Sequence, residues 1–160
     1  MKKINIIFFS ANRAEYGLIH PFLKVFLKHK VFNVELVVAG SHFSKKFGSS
    51  IKEIKDDKIK YTKINLPLST NTLSNTSDYF CKLQKKVNLF LKKKKIDLVF
   101  VCSDRFETFA FAISSYLNKI PIVHYEGGDI TEGGALDDNI RHAITKISNL
   151  HLTSNKDSLK

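Results

Sequence analysis

Two segments of this chain place carboxylates and arginines within a few residues of one another. They are Ser103-Asp104-Arg105-Phe106-Glu107 and Ile122 to His142, which reads IVHYEGGDITEGGALDDNIRH. Glu126, Asp129, Asp137, Asp138, Arg141 and His142 all fall in the second. Carboxyl groups gathered in one place suit general acid–base chemistry: like charge raises the pKa of one so that it holds a proton at neutral pH, while another stays ionised as a base. Arginines beside them supply planar, two-pronged binding of phosphate or carboxylate, which lysine does not replace. Arginine occurs only at 13, 105 and 141, each next to such acids. Asp104 and Glu126 together therefore read as a functional pair acting on a phosphorylated substrate. Taken singly, Glu15, Glu107, Asp129 and Asp138 read as helix caps.

Chemistry of this kind needs a scaffold that brings separate loops to one place. Continuous apolar runs at Ile4 to Phe9, Val34 to Ala39, Asp97 to Cys102 and Pro121 to Tyr125 predict strands buried on both faces. Lys58 to Asn65 alternates and predicts another strand, and Leu150 to Thr153 a short last one. Ile19, Phe22, Leu23, Phe26 and Leu27 repeat at helical spacing, with Pro21 placed early in that helix, where it is tolerated. Further helices are predicted over Lys45 to Lys55 (Phe47, Ile51 and Ile54 inward), from Thr76 or Ser77 to about Lys94, from the turn Ser103 to Glu107 to about Asn118, and over Ile140 to Ser148, opened by Leu136 to His142. Leu66 to Ser77 reads as a loop over the sheet edge, long enough to act as a lid. Ser154 reads as the cap of a helix that the end of the chain cuts off, so the chain looks like half of a larger unit.

Strands alternating with helices predict an α/β, doubly wound parallel sheet, with right-handed crossovers giving the order 3-2-1-4-5-6. Ligands bind such sheets at the carboxyl ends of the strands, where the strand order reverses. Arg13 and Glu15 follow strand one, His42 strand two, Asp104 and Arg105 strand four, and Glu126 and Asp129 strand five. Asp137, Arg141 and His142 lie just behind, and Arg13 and Asp104 are expected to face one crevice. Gly127 and Gly128 are expected to let a ligand approach the backbone, and a second pair follows at Gly133-Gly134. The alternative is an ordinary glycine-rich loop with a capped helix.

Composition narrows the classes. One hundred and sixty residues, 43% of them hydrophobic, make one globular domain. The net charge of +11 comes from lysines scattered without interleaved aromatic platforms, so no nucleic-acid partner is expected. Two cysteines form no disulfide framework and fit a reducing, cytoplasmic setting. The apolar run after Met1-Lys2-Lys3 is too short for a signal peptide, and no stretch approaches about 18 uninterrupted apolar residues, so no membrane span is expected. The turn after strand one lacks G-x-G-x-x-G, and neither G-x-x-x-x-G-K-[ST] nor G-x-S-x-G occurs. No Cys/His spacing suits zinc, and neither metal nor cofactor is expected.

Several motifs carry a resemblance: Arg13-Ala14-Glu15-Tyr16-Gly17, Ser103 to Glu107, HYEGGDIT from His124 to Thr131, Asp137 to Lys146, and Leu150 to Ser154. In order and spacing the chain resembles the hydrolysing UDP-N-acetylglucosamine 2-epimerases, which start sialic-acid and related nonulosonate synthesis. The non-hydrolysing enzymes, with R-P-E and E-A-G-L-R at the corresponding places, are more distant. The chain departs from the pattern at Leu18, where some relatives place lysine, and at Ser103, where many place glycine. The resemblance implies that residues 1–160 are the N-terminal, Rossmann-like half of a two-domain glycosyltransferase-B type fold. The absent C-terminal domain would supply much of the nucleotide site and a further histidine, so the fragment alone is expected to be inactive. It implies elimination of UDP to a glycal, then hydration to free N-acetylmannosamine, with Asp104, Glu126 and Asp137 in proton transfer. Arg13 and Arg141 would orient phosphate or carboxylates, and His142 would position Asp137 or Glu126. Glu15, His42, Arg105, Gly127 and Gly128 complete the expected substrate-binding set, and the assembly is expected to be a homo-oligomer. The substrate stays open between UDP-N-acetylglucosamine and a UDP- or GDP-linked 2,4-diacetamido sugar. The competing functional class is a non-catalytic sugar-nucleotide-binding or assembly half that needs a separate partner domain.

Overall fold

The computed structural model describes residues 3–68, 72–130 and 136–159. Six parallel strands form one sheet in the order β3-β2-β1-β4-β5-β6: β1 Ile4–Ser10, β2 Phe32–Val38, β3 Tyr61–Lys63, β4 Leu98–Cys102, β5 Ile122–Tyr125 and β6 Leu150–Leu152. This is the doubly wound order expected from the alternation of elements, with its reversal between β1 and β4.

The strands are apolar throughout because both faces are covered. One face presents Ile7, Phe9, Val37, Val99, Val101 and Ile122 to helices α3 (Leu73–Leu91), α4 (Phe106–Leu117) and α5 (Leu136–Ile147). The other presents Ile6, Phe8, Leu36, Val38, Phe100 and Val123 to α1 (Arg13–Lys28) and α2 (Ile51–Asp56). Alternate residues of β1 thus serve opposite cores. Phe8 stacks on Phe100 at 4.6 Å and Phe9 on Phe111 at 4.3 Å. Among the described residues no helix is long and apolar enough to cross a membrane.

Several boundaries differ from expectation for local reasons. Helix α1 starts at Arg13, capped by Asn12, so Pro21 lies inside it and not near its first turn. Proline withholds the hydrogen bond to the carbonyl four residues back. That residue is Gly17, which like Pro21 is exposed, so water can replace the lost bond. The helix expected over Lys45 to Lys55 shrinks to α2, preceded by two short 3-10 turns, because Gly48 and Ser49 take left-handed angles (φ 80° and 47°). Phe47 is consequently exposed. Helix α3 starts earlier than expected, with Thr72 accepting from the amide of Asn75, which shortens the loop before it. Instead of a cut-off α-helix after Ser154, Asp157–Leu159 forms a 3-10 turn, with the Asn155 side chain accepting from the amide of Ser158. The expected glycine pair at 133 and 134 and the centre of the expected lid, 69–71, lie outside the described residues.

Candidate active site

The carboxyl ends of β4 and β5 are shaped alike. Ser103 and Glu126, each one residue past its strand, take left-handed angles of 68° and 62°. The amide of Ser103 donates to the Tyr125 carbonyl (3.0 Å) and that of Glu126 to Leu152 (2.9 Å). Each residue thus extends the ladder by one step before the chain turns sharply. Few residues other than glycine adopt this conformation, and it places Asp104 and the Glu126 side chain together at the sheet edge.

Helix α5 supplies the cation. Arg141 donates to the Asp104 carboxylate, to Asp138 one turn earlier in its own helix (2.9 Å) and to the carbonyl of Asp129 (2.8 Å). One guanidinium thus ties the end of β4, the loop after β5 and the start of α5. Glu126 is half-buried, and its carboxyl is raised above the usual range, first by burial, then by the charges of Asp129 and Asp104, with Arg141 opposing. The Cys102 thiol is pushed up by burial and then by Glu15, Glu126 and Asp104, so acids from α1 and from the turns after β5 and β4 act on the end of β4.

Beside this cluster a cleft of about 330 Å³ opens between the turns after β1, β2 and β4, lined by Asn12, Glu15, Ser41, Ser103, Asp104 and Arg105 with Phe47 and Leu68. It lies at the point where the strand order reverses, and helices α1 and α4 both begin there. Helix N-termini carry partial positive charge and free amides, which favour an anionic ligand.

Not every expected ligand group faces the cleft. Arg13 is exposed and pairs with Glu53 of α2 at 2.6 Å, not with Asp104. His42 is fully buried, its Nε2 2.8 Å from Ser10 Oγ and its Nδ1 2.8 Å from Ser50 Oγ. Burial lowers its pKa to about 4, so it is a neutral tie between β1 and the loop after β2, out of reach of substrate. Glu15 borders the cleft, but its carboxyl turns inward to the Ala11 amide (2.6 Å) and the Thr108 hydroxyl (2.5 Å). Gly127 and Gly128 make room for the protein itself. A Cβ at 127 would lie 2.8 Å from both His124 Nδ1 and Thr145 Oγ1, and one at 128 would lie 2.4 Å from the Ser158 carbonyl. Asp137 and His142 are exposed on α5. The charge of Asp137 reaches Glu107, while His142 bonds neither Asp137 nor Glu126 among the described residues. Asp104, Glu126, Arg105 and Arg141 are the expected residues that the fold gathers.

Three contributors escaped the sequence reading as site residues. Asp138, read as a cap, is a partner of Arg141; its spacing of three residues on one helix was the available signal. Glu107, also read as a cap, is buried beside Arg105. His124 is buried, with Nε2 2.9 Å from the Ser103 carbonyl and Nδ1 3.1 Å from Thr145 Oγ1. A carbonyl only accepts, so Nε2 carries the proton. Burial holds this imidazole down at about 4, and it links β4, β5 and α5 as a neutral group. Among the described residues no group of three or more His, Cys, Asp or Glu is placed to hold a metal ion.

Fold and site together define a doubly wound α/β domain with a carboxylate–arginine cluster at its ligand-binding edge. The chain belongs to the UDP-N-acetylglucosamine 2-epimerase family, whose sequence model matches residues 25–160. It is 34% identical over 164 residues to the polysialic acid biosynthesis protein P7 of Escherichia coli, covering all of this chain and 40% of that protein. It is 31% identical to a hydrolysing GDP/UDP-N,N'-diacetylbacillosamine 2-epimerase of Campylobacter jejuni, covering 98% of this chain and 40% of that one. The fold matches the crystal structure of the Neisseria meningitidis UDP-N-acetylglucosamine 2-epimerase bound to its sugar nucleotide, with a TM-score of 0.81, 21% identity, and coverage of 98% and 41%. The chain thus spans about 40% of the length of these relatives.

Proposed function

We propose that this chain is the N-terminal, Rossmann-like domain of a hydrolysing sugar-nucleotide 2-epimerase that converts UDP-N-acetylglucosamine to N-acetylmannosamine and UDP. One observation carries the reading. Asp104 and Glu126 stand at the ends of neighbouring strands beside the cleft, where the charge of Asp104 acts on Glu126 and Arg141 pairs with Asp104. Members of the family that hydrolyse their substrates, and the 40% share of their length that this chain spans, support it.

In the first step a carboxylate takes the C2 proton of the sugar. The C–H electrons form the C1–C2 double bond, and the C1–oxygen bond breaks toward the nucleotide. In the second step water adds its hydroxyl to C1 and a proton enters C2 from the opposite face. Glu126 is the carboxyl suited to hold and return a proton, because burial and two like charges raise it. Asp104 and the exposed Asp137 take the complementary proton transfers. Arg141 orients the carboxylates, and Arg105 with the two helix N-termini faces the diphosphate. A second domain closes over the nucleotide, and the 160-residue chain alone is inactive.

The test is incubation of the whole gene product in D2O with UDP-N-acetylglucosamine, and separately with UDP- and GDP-linked 2,4-diacetamido sugars. Free nucleotide, free 2-epimerised sugar and deuterium at C2 are the expected products. Release of none from any substrate ends the reading. Asp104→Asn and Glu126→Gln each lower the rate by about a hundredfold or more; near-normal rates in both would remove their assigned roles.

A further inference from the structure

We propose that Glu107 is a positioning residue of this site: it anchors Arg105 so that the guanidinium stands in the cleft to take an anionic oxygen of the nucleotide. The inference rests on the reading above and adds to it a residue that touches no substrate.

Glu107 lies in the first turn of α4, with 1% of its surface exposed. Its Oε2 is 3.4 Å from Arg105 Nε, and both atoms are buried without an aligned hydrogen bond. A helix-terminus acid gains its favourable field at the surface and needs no burial. A buried carboxylate with a bare oxygen is costly, so a cap role leaves its position unexplained. The surroundings are shaped around it. A Cβ at Gly40 would come 3.2 Å from Glu107 Oε1 and 2.6 Å from the Ala11 carbonyl, so the loop after β2 closes on the carboxylate only with glycine there. Arg105 lines the cleft, is half-exposed at its side chain, and lies with its guanidinium carbon 5.4 Å from the Phe106 ring centre. Nε is thus held from below while the side chain reaches the cleft, a pose suited to two-pronged binding of phosphate.

The groups facing Glu107 fix its charge state. Glu15 from α1 is raised to about 8, mainly by burial, and is neutral at pH 7. Tyr79 from α3 is pushed upward and stays a phenol. Arg105 favours the ionised form of Glu107, and Asp137 from α5 opposes it. Burial raises the Glu107 carboxyl above its usual range. The anchor is therefore intact at high pH and is lost as pH falls through that raised value.

The experiment uses the whole gene product. In Glu107→Gln, KM for UDP-N-acetylglucosamine rises about tenfold while kcat stays within about threefold, and kcat/KM loses the acid-side limb set by Glu107, keeping the limb set by the catalytic carboxylates. In a double-mutant cycle with Arg105→Gln, the two losses do not add. The Nε–H resonance of Arg105 in wild type, assigned with Arg105→Lys, shifts on addition of UDP and again as pH is lowered; this stands even where Glu107→Gln does not fold. Wild-type KM and pH profile in Glu107→Gln, additive losses, or an Arg105 resonance indifferent to UDP overturns the inference. If wild type turns over no substrate yet the Arg105 resonance follows UDP and pH, the reaction fails and the anchor survives.

Discussion

Two acid clusters share the carboxyl edge of this sheet and are neutralised in opposite ways. Around β4, β5 and α5, Asp104 and Asp138 close on one arginine, which spends both terminal nitrogens on carboxylates and a backbone carbonyl. Around β1 and α4, Glu15 and Glu107 are more deeply buried, and the cation beside them among the described residues is Arg105, whose Nε makes no aligned bond. There a proton takes the place of a cation for one of the acids, and Glu15 rises to about 8. The same residue types therefore give an ion-paired hub in one place and a protonated acid in the other. Geometry separates them: Arg141 meets Asp104, Asp138 and the Asp129 carbonyl with its two terminal nitrogens, whereas Arg105 approaches Glu107 through Nε, at 3.4 Å and out of line.

Removing the hub is the strongest test of this contrast. Arg141→Ala leaves two largely buried carboxylates without their cation, at an expected cost of about 3–5 kcal/mol in chemical denaturation. Arg141→Lys recovers only part, because an ammonium cannot serve three acceptors in a plane. A loss below about 1 kcal/mol in the alanine variant would mean the hub is no better than a surface pair.

The protonated cluster predicts an effect of opposite sign. Glu15 holds a proton in the folded state that it lacks in the unfolded chain between the ordinary carboxyl value and about 8. Its stabilising contribution is complete below the unfolded value and is lost as pH rises toward 8, at roughly 1.4 kcal/mol per pH unit. Glu15→Gln keeps an acceptor for the Ala11 amide, turns its amide group to the Thr108 hydroxyl that donates to Glu15, and removes the titration. Its denaturation free energy should be flatter with pH than that of wild type and higher at pH 8. Parallel profiles would show that Glu15 is ionised when folded.

The sequence reveals the hub better than the buried pair. Uninterrupted apolar strands and their alternation with helices specify the strand order, and the spacing of Asp104, Glu126 and Arg141 from strand ends places them at one edge. Burial of charge is what it hides. Nothing in the spacing of Glu15 or Glu107 separates a cap at the surface from a carboxyl turned inward, because that depends on Thr108 of α4 reaching Glu15 of α1 and on Gly40 closing in from the loop after β2. His42 misled for the same reason: a histidine after a strand reads as exposed until Ser10 and Ser50 enclose it. Arg13 was misplaced by direction, since the first turn of α1 points it toward Glu53.

The smallest expected effect bears on what the hub side gives up for its geometry. Glu126 keeps a left-handed backbone that costs a non-glycine residue about 1 kcal/mol or more. Part of any gain from glycine there is offset by roughly 0.5–1 kcal/mol of extra chain entropy lost on folding. Glu126→Gly also removes a half-buried carboxyl that lies near two like charges. The variant should therefore be as stable as wild type or more stable by up to about 1 kcal/mol, a melting shift of roughly 2–4 °C for a chain of this size, while the whole gene product carrying it loses the activity proposed above. Ser103→Gly, at the matching position after β4, relieves the same backbone but forfeits the 3.1 Å bond from Ser103 Oγ to Asp104, so its gain should be smaller. A lower melting point in Glu126→Gly than in Ser103→Gly would mean that the glutamate is held there by contacts that stabilise the fold, and that its conformation is not a cost borne for chemistry.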